Sequence, residues 1–300
     1  VLVFATTGVV DRRDNRDFQD REARIADFAD AGSDLSLAVQ VQRVRGLAAD
    51  AGAAVDLEES TVVLAGAVDG WLQAAESVKG DITDPDLVTD NDDLTTSLGD
   101  LRAGADAMSP DTVTAAVALA SRRVALITPQ LVDQSQDLEL FRALSEHLRI
   151  SQIQQAVGEI TVQGAAAIES RSISPVIATP LNSADADIIA ASDQFLTTAD
   201  ASYAAMLEQL IADGLLPTAI GDSVRDVEFV IDGGQPVDEA LAEWLATGEE
   251  KLVGVNSVSD ALLEDAAAAA AAAATTARTT ALNYLILAGS VTALALVMAA

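Results

Sequence analysis

The sequence predicts an all-α fold, with antiparallel helical bundles that lead into a transmembrane helix. Three observations carry this expectation. Half of the residues are hydrophobic but only 3% are aromatic, with alanine supplying much of the apolar share. A core of Ala, Leu, Val and Ile suits helix-on-helix packing, whereas strands favour β-branched and aromatic side chains. Apolar residues recur at spacings of three and four and nowhere alternate for long with a period of two. Finally, residues 281–300, ALNYLILAGSVTALALVMAA, hold no charged side chain.

Residues 11–50 read as one long helix, because Ile25, Phe28, Gly32, Leu35, Val39, Gln42, Gly46 and Ala49 form a seam at alternating spacings of three and four. A second helix over 58–79 follows through Val62, Val63, Ala67, Trp71 and Val78. The stretch 80–93, GDITDPDLVTDNDD, is acidic and turn-rich and is expected to be a loop. A helix is expected from Leu94 to Ala107, and Ser109-Pro110-Asp111 starts another with serine as the cap and proline in the first turn. From 129 to 171 the helical pattern runs through Leu131, Leu138, Phe141, Leu144, Leu148, Ile153 and Val157, until Ser174-Pro175 and Thr179-Pro180 break it. Asn182 or Ser183 is placed as the cap of a helix reaching Asp213. A shorter helix covers 217–231 and ends at Gly233-Gly234. Pro236 opens the last helix, which passes Trp244 and the alanine run 266–274 into the apolar end. Alanine is the strongest helix former, so that run is expected to be a rigid connector.

Charge and composition exclude several functions. The formal charge is −30, from 47 acidic against 17 basic residues, and Lys79 and Lys251 are the sole lysines. Such a surface repels polyphosphate, so no nucleic-acid partner is expected. A salt-adapted proteome and a GC-rich genome that favours Arg over Lys both produce this balance. With no cysteine and with His147 the one histidine, thiolate chemistry, Cys/His metal sites and a histidine triad have no residues to use. The segment Ser145-Glu146-His147-Leu148-Arg149 is faintly similar to the phosphoacceptor box of histidine kinases, but no glycine-rich nucleotide segment follows, and His147 is expected to be a surface residue. Adjacent acids such as Glu58-Glu59 and Asp92-Asp93 point different ways on a helix and suit a solvated face. No cofactor is expected, and no enzyme activity within these residues.

At the helical rise, twenty residues cover about 30 Å, the thickness of a hydrocarbon core. Residues 281–300 are therefore read as a transmembrane helix, with Asn283 and Tyr284 at the headgroup level. Residues 1–10, VLVFATTGVV, are also uncharged. They are read as the end of a first transmembrane helix, a signal-peptide remnant being the alternative. Two membrane segments bracketing residues 11–280 give the layout of an extracytoplasmic sensor domain held at the plasma membrane.

The candidate site is Gln42, Arg43, Arg45 and Gly46, in the segment VQVQRVRGLAA. On the helical wheel Gln42 and Gly46 fall on the seam and the two arginines flank it. Guanidinium groups beside an apolar seam require partners, because an unpaired buried charge is costly. Gly46 leaves space, and a planar oxyanion there would match the guanidinium fork. A carboxylate from another helix would satisfy the arginine equally well.

Residues 41–48 read Val-Gln-Arg-Val-Arg-Gly-Leu-Ala and resemble the signature L-Q-x-E-R-G-x-S of the nitrate- and nitrite-sensing (NIT) domains of bacterial receptors. Gln42, Arg45 and Gly46 match, while Val44 and Ala48 replace the usual Glu and Ser. The likeness extends loosely over 20–280, through the proline-broken middle, the Phe195 to Leu207 helix and a Trp244-x6-Lys251 pattern. It implies an all-helical pair of bundles between two membrane helices of a receptor such as a sensor histidine kinase, dimeric, with nitrate or nitrite bound at arginines including Arg45. The family's second arginine motif is replaced here by Gln163-Gly164-Ala165-Ala166-Ala167. Two functions follow from the sequence: a sensor of a small anion, or a ligand-free structural or partner-binding stalk. The topology is checked by cysteines introduced as Asp84→Cys and Asp232→Cys, which a membrane-impermeant thiol reagent should label on intact cells. Labelling only after lysis would place the domain in the cytoplasm.

Overall fold

Leu2–Asp50 forms one helix of 49 residues, α1, and Val237–Ala299 forms one of 63 residues, α8. At 1.5 Å per residue they are about 74 and about 95 Å long. Between them lie α2 (Leu57–Val78), α3 (Pro85–Gly104), α4 (Leu138–Ser170), α5 (Pro175–Thr198), α6 (Ala201–Ala212) and α7 (Asp222–Asp232). The computed structural model describes residues 2–50, 57–82, 85–104, 127 and 129–299, with side chains at 14–49, 57–82, 85–98, 127, 129–283 and 286. There is no strand among the described residues.

Cross-helix contacts give the directions. Along α1, Asp20 meets Arg278, Ser33 meets Ser259 and Arg45 meets Glu249. The partner number falls as the α1 number rises, so α1 and α8 are antiparallel. The same test makes α2 antiparallel to α1, through Arg24–Asp81, Gly32–Trp71 and Arg45–Glu59. Ser36 meets Gln154 and Gln40 abuts Gly158, so α4 runs parallel to α1, and hence opposite to α8.

Two apolar cores result. The first joins Phe28 and Leu35 of α1, Trp71 of α2, Leu94 of α3, Leu144 of α4 and Leu263 of α8. Phe28 and Trp71 are fully buried with ring centroids 4.5 Å apart. A Cβ on Gly32 would lie 3.1 Å from the indole, so glycine lets this ring close against the α1 backbone. The second core takes in Val44 of α1, Ile153 of α4, Phe195 of α5, Leu207 of α6, Val227 of α7 and Leu252 of α8. Both long helices contribute to both cores.

Several expected boundaries move. The stretch 80–93 is not all loop: Pro85 starts α3, since proline's missing N–H is no loss in the first turn and Asp86 favours the positive end of the helix. The span 129–171 is interrupted at 135–137. There Glu22 of α1 accepts from Ser135 Oγ at 2.7 Å and from the backbone N–H groups of Gln136 and Asp137, and Asp137 caps α4. Pro180 does not break α5, which begins at Pro175 rather than at 182 or 183. The carbonyl that Pro180 leaves without a helical donor belongs to Val176, which is 80% exposed and reachable by water. The helix expected to reach Asp213 is split at Ala199–Asp200, where both residues are extended. Gly221, with φ 93°, delays α7 until Asp222.

The expected seam on α1 holds from Ile25 to Val39 and then rotates: Gln40, Val44 and Ala48 are buried, whereas Gln42, Gly46 and Ala49 are half-buried. Past Val39 the helix leaves α2's core and faces α4 and α8 instead. The helix expected from Ser109, with its serine cap and first-turn Pro110, lies outside the described residues. So do the side chains of 1–10 and most of those of 281–300, although α8 continues as helix to Ala299. Among the described residues no helix is long and apolar enough to cross a membrane.

Truncating a buried aromatic ring leaves a cavity that the fold fills only in part. Trp71→Ala is expected to cost about 3 kcal/mol, the low end of the 3–5 range, because it also removes an indole N–H that is buried without a partner. Phe229→Ala, at a residue 80% exposed, should change the unfolding free energy measured by denaturant titration by less than about 0.5 kcal/mol. Equal effects of the two would contradict the position of the first core.

Candidate functional site

Arg45 lies near the end of α1, where α2 begins and α8 passes in the opposite direction. Its guanidinium is engaged on two sides. Nε is 3.1 Å from both carboxylate oxygens of Glu249, and Nη2 is 2.7 Å from Oε1. Nη1 donates to Glu59 Oε2 at 3.0 Å. The pairing with Glu249 is the partly enclosed one, with 22% and 25% of the two side chains exposed, while Glu59 is 65% exposed. Above all, the hydrogen bond to Glu249 raises the Arg45 pKa further above its ordinary value. Burial of these groups without each other would leave an unpaired charge, so the pair fixes α1 to α8 at this level.

Of the other expected site residues, Gln42 and Arg43 are half-buried and outside this ion-pair set. Gln42 Oε1 is buried with no hydrogen-bond partner. Gly46 faces open space, with nothing within 4 Å of a Cβ placed on it. It leaves room beside Arg45 but is not a gap in the core, because the seam has already turned to Val44 and Ala48. The stretch Gln163–Ala167 faces no open space at Gly164. The Trp244 ring lies against the Gly164 backbone so closely that a methyl group there would overlap it, and its Nε1 donates to Thr161 O at 2.9 Å.

Nearer the middle of α1 is a set of residues that sequence reasoning missed. Between the two apolar cores, α1, α4 and α8 meet through polar side chains. Ser33 Oγ is 3.0 Å from Ser259 Oγ, Ser36 donates to Gln154 Oε1 at 3.1 Å, and Gln154 Nε2 donates to Asn256 Oδ1 at 3.1 Å. His147 is buried rather than on the surface, with Nδ1 2.7 Å from Ser259 Oγ and Nε2 3.2 Å from Ser151 Oγ. Asn256 Nδ2 donates to Asp260 at 2.7 Å. The available signal was a helical period of polar residues, with His147, Ser151 and Gln154 on one face of α4 and Asn256, Ser259 and Asp260 on one face of α8. Glu249 carried no such signal, because in an acidic chain one glutamate is indistinguishable from its neighbours.

The sequence matches no protein-family profile and no curated protein. Among solved structures, that of the NasR transcription antiterminator is similar, with a TM-score of 0.69 and 17% identity over 95% of this chain and 82% of that chain. At this identity the likeness is one of fold.

The polar layer responds to pH in two opposed ways. Burial holds His147 down at about 4, from 6.5. The folded state therefore loses stability as pH falls from 6.5 towards 4, where only the unfolded chain takes up that proton. Burial, then the neighbouring Asp34 and Asp30, push Asp260 up to about 6 from 3.8. The folded state binds this proton more tightly, so acidification from about 6 to 3.8 favours folding. In His147→Gln the first effect is absent. On going from pH 7 to 5, its melting midpoint should rise relative to that of the wild type. Parallel midpoint curves for the two proteins would refute the assignment.

Proposed function

We propose that this chain is the sensory domain of a membrane-anchored receptor, in which a small planar oxyanion such as nitrate or nitrite competes with Glu249 for Arg45. The observation that carries this reading is the Arg45 fork closed on a carboxylate at the contact of the two longest helices. A carboxylate presents two oxygens in a plane, and a nitrate ion presents the same pair to the same donors. Glu249 thus occupies the fork as an internal stand-in for the ligand. An anion that displaces it would free α8 from α1 at this level, and the shift would travel along α8 into the uncharged segment 281–300. The protein's negative charge opposes anion entry, but beyond about 8 Å it is largely screened at physiological salt, so the local guanidinium decides. Support comes from the match of Gln42, Arg45 and Gly46 to the NIT signature, and from a fold shared with a regulatory protein, the transcription antiterminator NasR.

The second reading, a ligand-free stalk, is favoured by Trp244 closing over Gly164 and by the two carboxylates already on Arg45. Thermal melting with and without millimolar nitrate, nitrite or chloride separates the two. In the sensor, nitrate raises the wild-type midpoint, Glu249→Gln binds more tightly because the competitor is weakened, and Arg45→Lys loses roughly 1.5–3 kcal/mol of binding through loss of the planar fork. A wild type indifferent to both oxyanions, with Arg45→Ala melting much earlier, would leave Arg45 as a structural ion-pair residue.

A further inference from the structure

A second candidate site, of opposite charge preference, lies in the cleft bounded by α1, α4, α6 and α8. This cavity, of about 330 Å³, falls at the lower end of the range for small-molecule pockets. Six carboxylates and a single guanidinium, Arg142, line it among the described residues. Two of those carboxylates are already occupied by the chain: Glu22 holds the 135–137 turn and Asp137 caps α4. Asp265 accepts from Tyr203 Oη at 2.5 Å, which fixes the phenol at the cavity wall.

Glu146 differs from these. It is 4% exposed, it lines the cavity, and its Oε1 is buried with no hydrogen-bond partner. A carboxylate so placed is expensive unless a positive group or a proton meets it. Burial, followed by the field of Asp200, raises its pKa, outweighing the opposing fields of Arg142 and Arg149, neither of which bonds to it. Tyr203 is pushed up to about 12 by burial, by its bond to Asp265, and by the fields of Asp265, Asp200 and Glu146. Negative potential from three helices therefore converges on one space.

The rest of the lining selects the kind of cation. Leu140, Ala143, Leu262, Ala266 and Ala269 give an apolar floor, which a hydrated metal ion would not use. No group of three His, Asp or Glu side chains among the described residues is arranged to hold a metal. A short hydrocarbon bearing an ammonium group fits both parts, with CH₂ groups on the alanines and the charge at the acids. From this we infer that the cavity binds a small alkyl amine or diamine, its ammonium group held by Glu146 and Asp200 beside the Tyr203 ring. The inference does not rest on the anion reading, since none of its residues touches Arg45.

Calorimetric titration of the 300-residue chain in non-ionic detergent, with 1,4-diaminobutane and with n-butylamine at constant ionic strength, tests it. Saturable binding of both amines is expected, weakened at least tenfold by Glu146→Gln and several-fold by Asp200→Asn, and unchanged in Phe229→Ala, at an exposed residue outside the cavity. Because burial outweighs the arginine fields at Glu146, Glu146→Gln should fold and, without amine at pH 8, melt above the wild type. Should it fail to fold, Asp200→Asn still decides by its effect on affinity. Heats no larger than those of added NaCl, equal competition by Mg²⁺, or unchanged affinity in a folded Glu146→Gln or in Asp200→Asn would each overturn the assignment. The first would leave Glu146 as a structural carboxylate in the field of Arg142 and Arg149.

Discussion

Everything in this molecule hangs on the antiparallel contact between α1 and α8. Each is too long to be covered by a single bundle, so each supplies one wall of two different cores. The shorter helices then divide between those cores. α2 and α3 close the first core, α5, α6 and α7 close the second, and α4 spans both. Three polar pairings, Asp20 with Arg278, Ser33 with Ser259 and Arg45 with Glu249, mark the register of the long helices from one end of the contact to the other. Apolar alanine-rich surfaces specify register weakly, because one alanine row packs much like the next. Where such pairs are enclosed, as at Ser33–Ser259 and in part at Arg45–Glu249, they penalise a slip, since it would leave their members buried and unpaired.

The layer at Ser33, Gln154, His147 and Asn256 has the same logic at the boundary between the cores. Its polar atoms bond to one another across the three helices, and His147 contributes both ring nitrogens. A mostly satisfied polar layer contributes less to stability than an apolar one would, but it limits the ways in which three helices can meet. It also separates the two apolar cores along the same pair of helices. A displacement of α8 at Arg45 would have to be accommodated here, which connects the proposed site to the part of α8 that runs towards 281–300.

Acidity is used unevenly. Most of the acids sit on solvated faces, where they keep the surface strongly negative, but a few have been drawn inward. Glu22 orders the turn before α4, Asp185 accepts from Gly221 N–H and Ser223 Oγ to hold the start of α7, and Glu249 closes on Arg45. Glu146 has no comparable partner. The contrast between carboxylates with assigned donors and one without is what singles out the cavity beside it.

The sequence by itself determined the helical class, the long first and last helices, and the pairing of Phe28, Leu35 and Trp71 with a core. These follow from periodicity and helix propensity, which are local. It also placed Arg45 among the residues needing a partner, since guanidinium beside an apolar seam does so in any fold. Tertiary structure decided the rest. The break at 135–137 exists because Glu22, more than a hundred residues earlier, captures the turn's N–H groups. The seam of α1 rotates after Val39 because the helix changes neighbours, so Gln40 rather than Gln42 enters the core. His147 is buried because α8 supplies Ser259 opposite it. Which of 47 acidic residues meets Arg45, and which is left facing a cavity, depends on the register of helices two hundred residues apart. Local pattern carries no record of that distance.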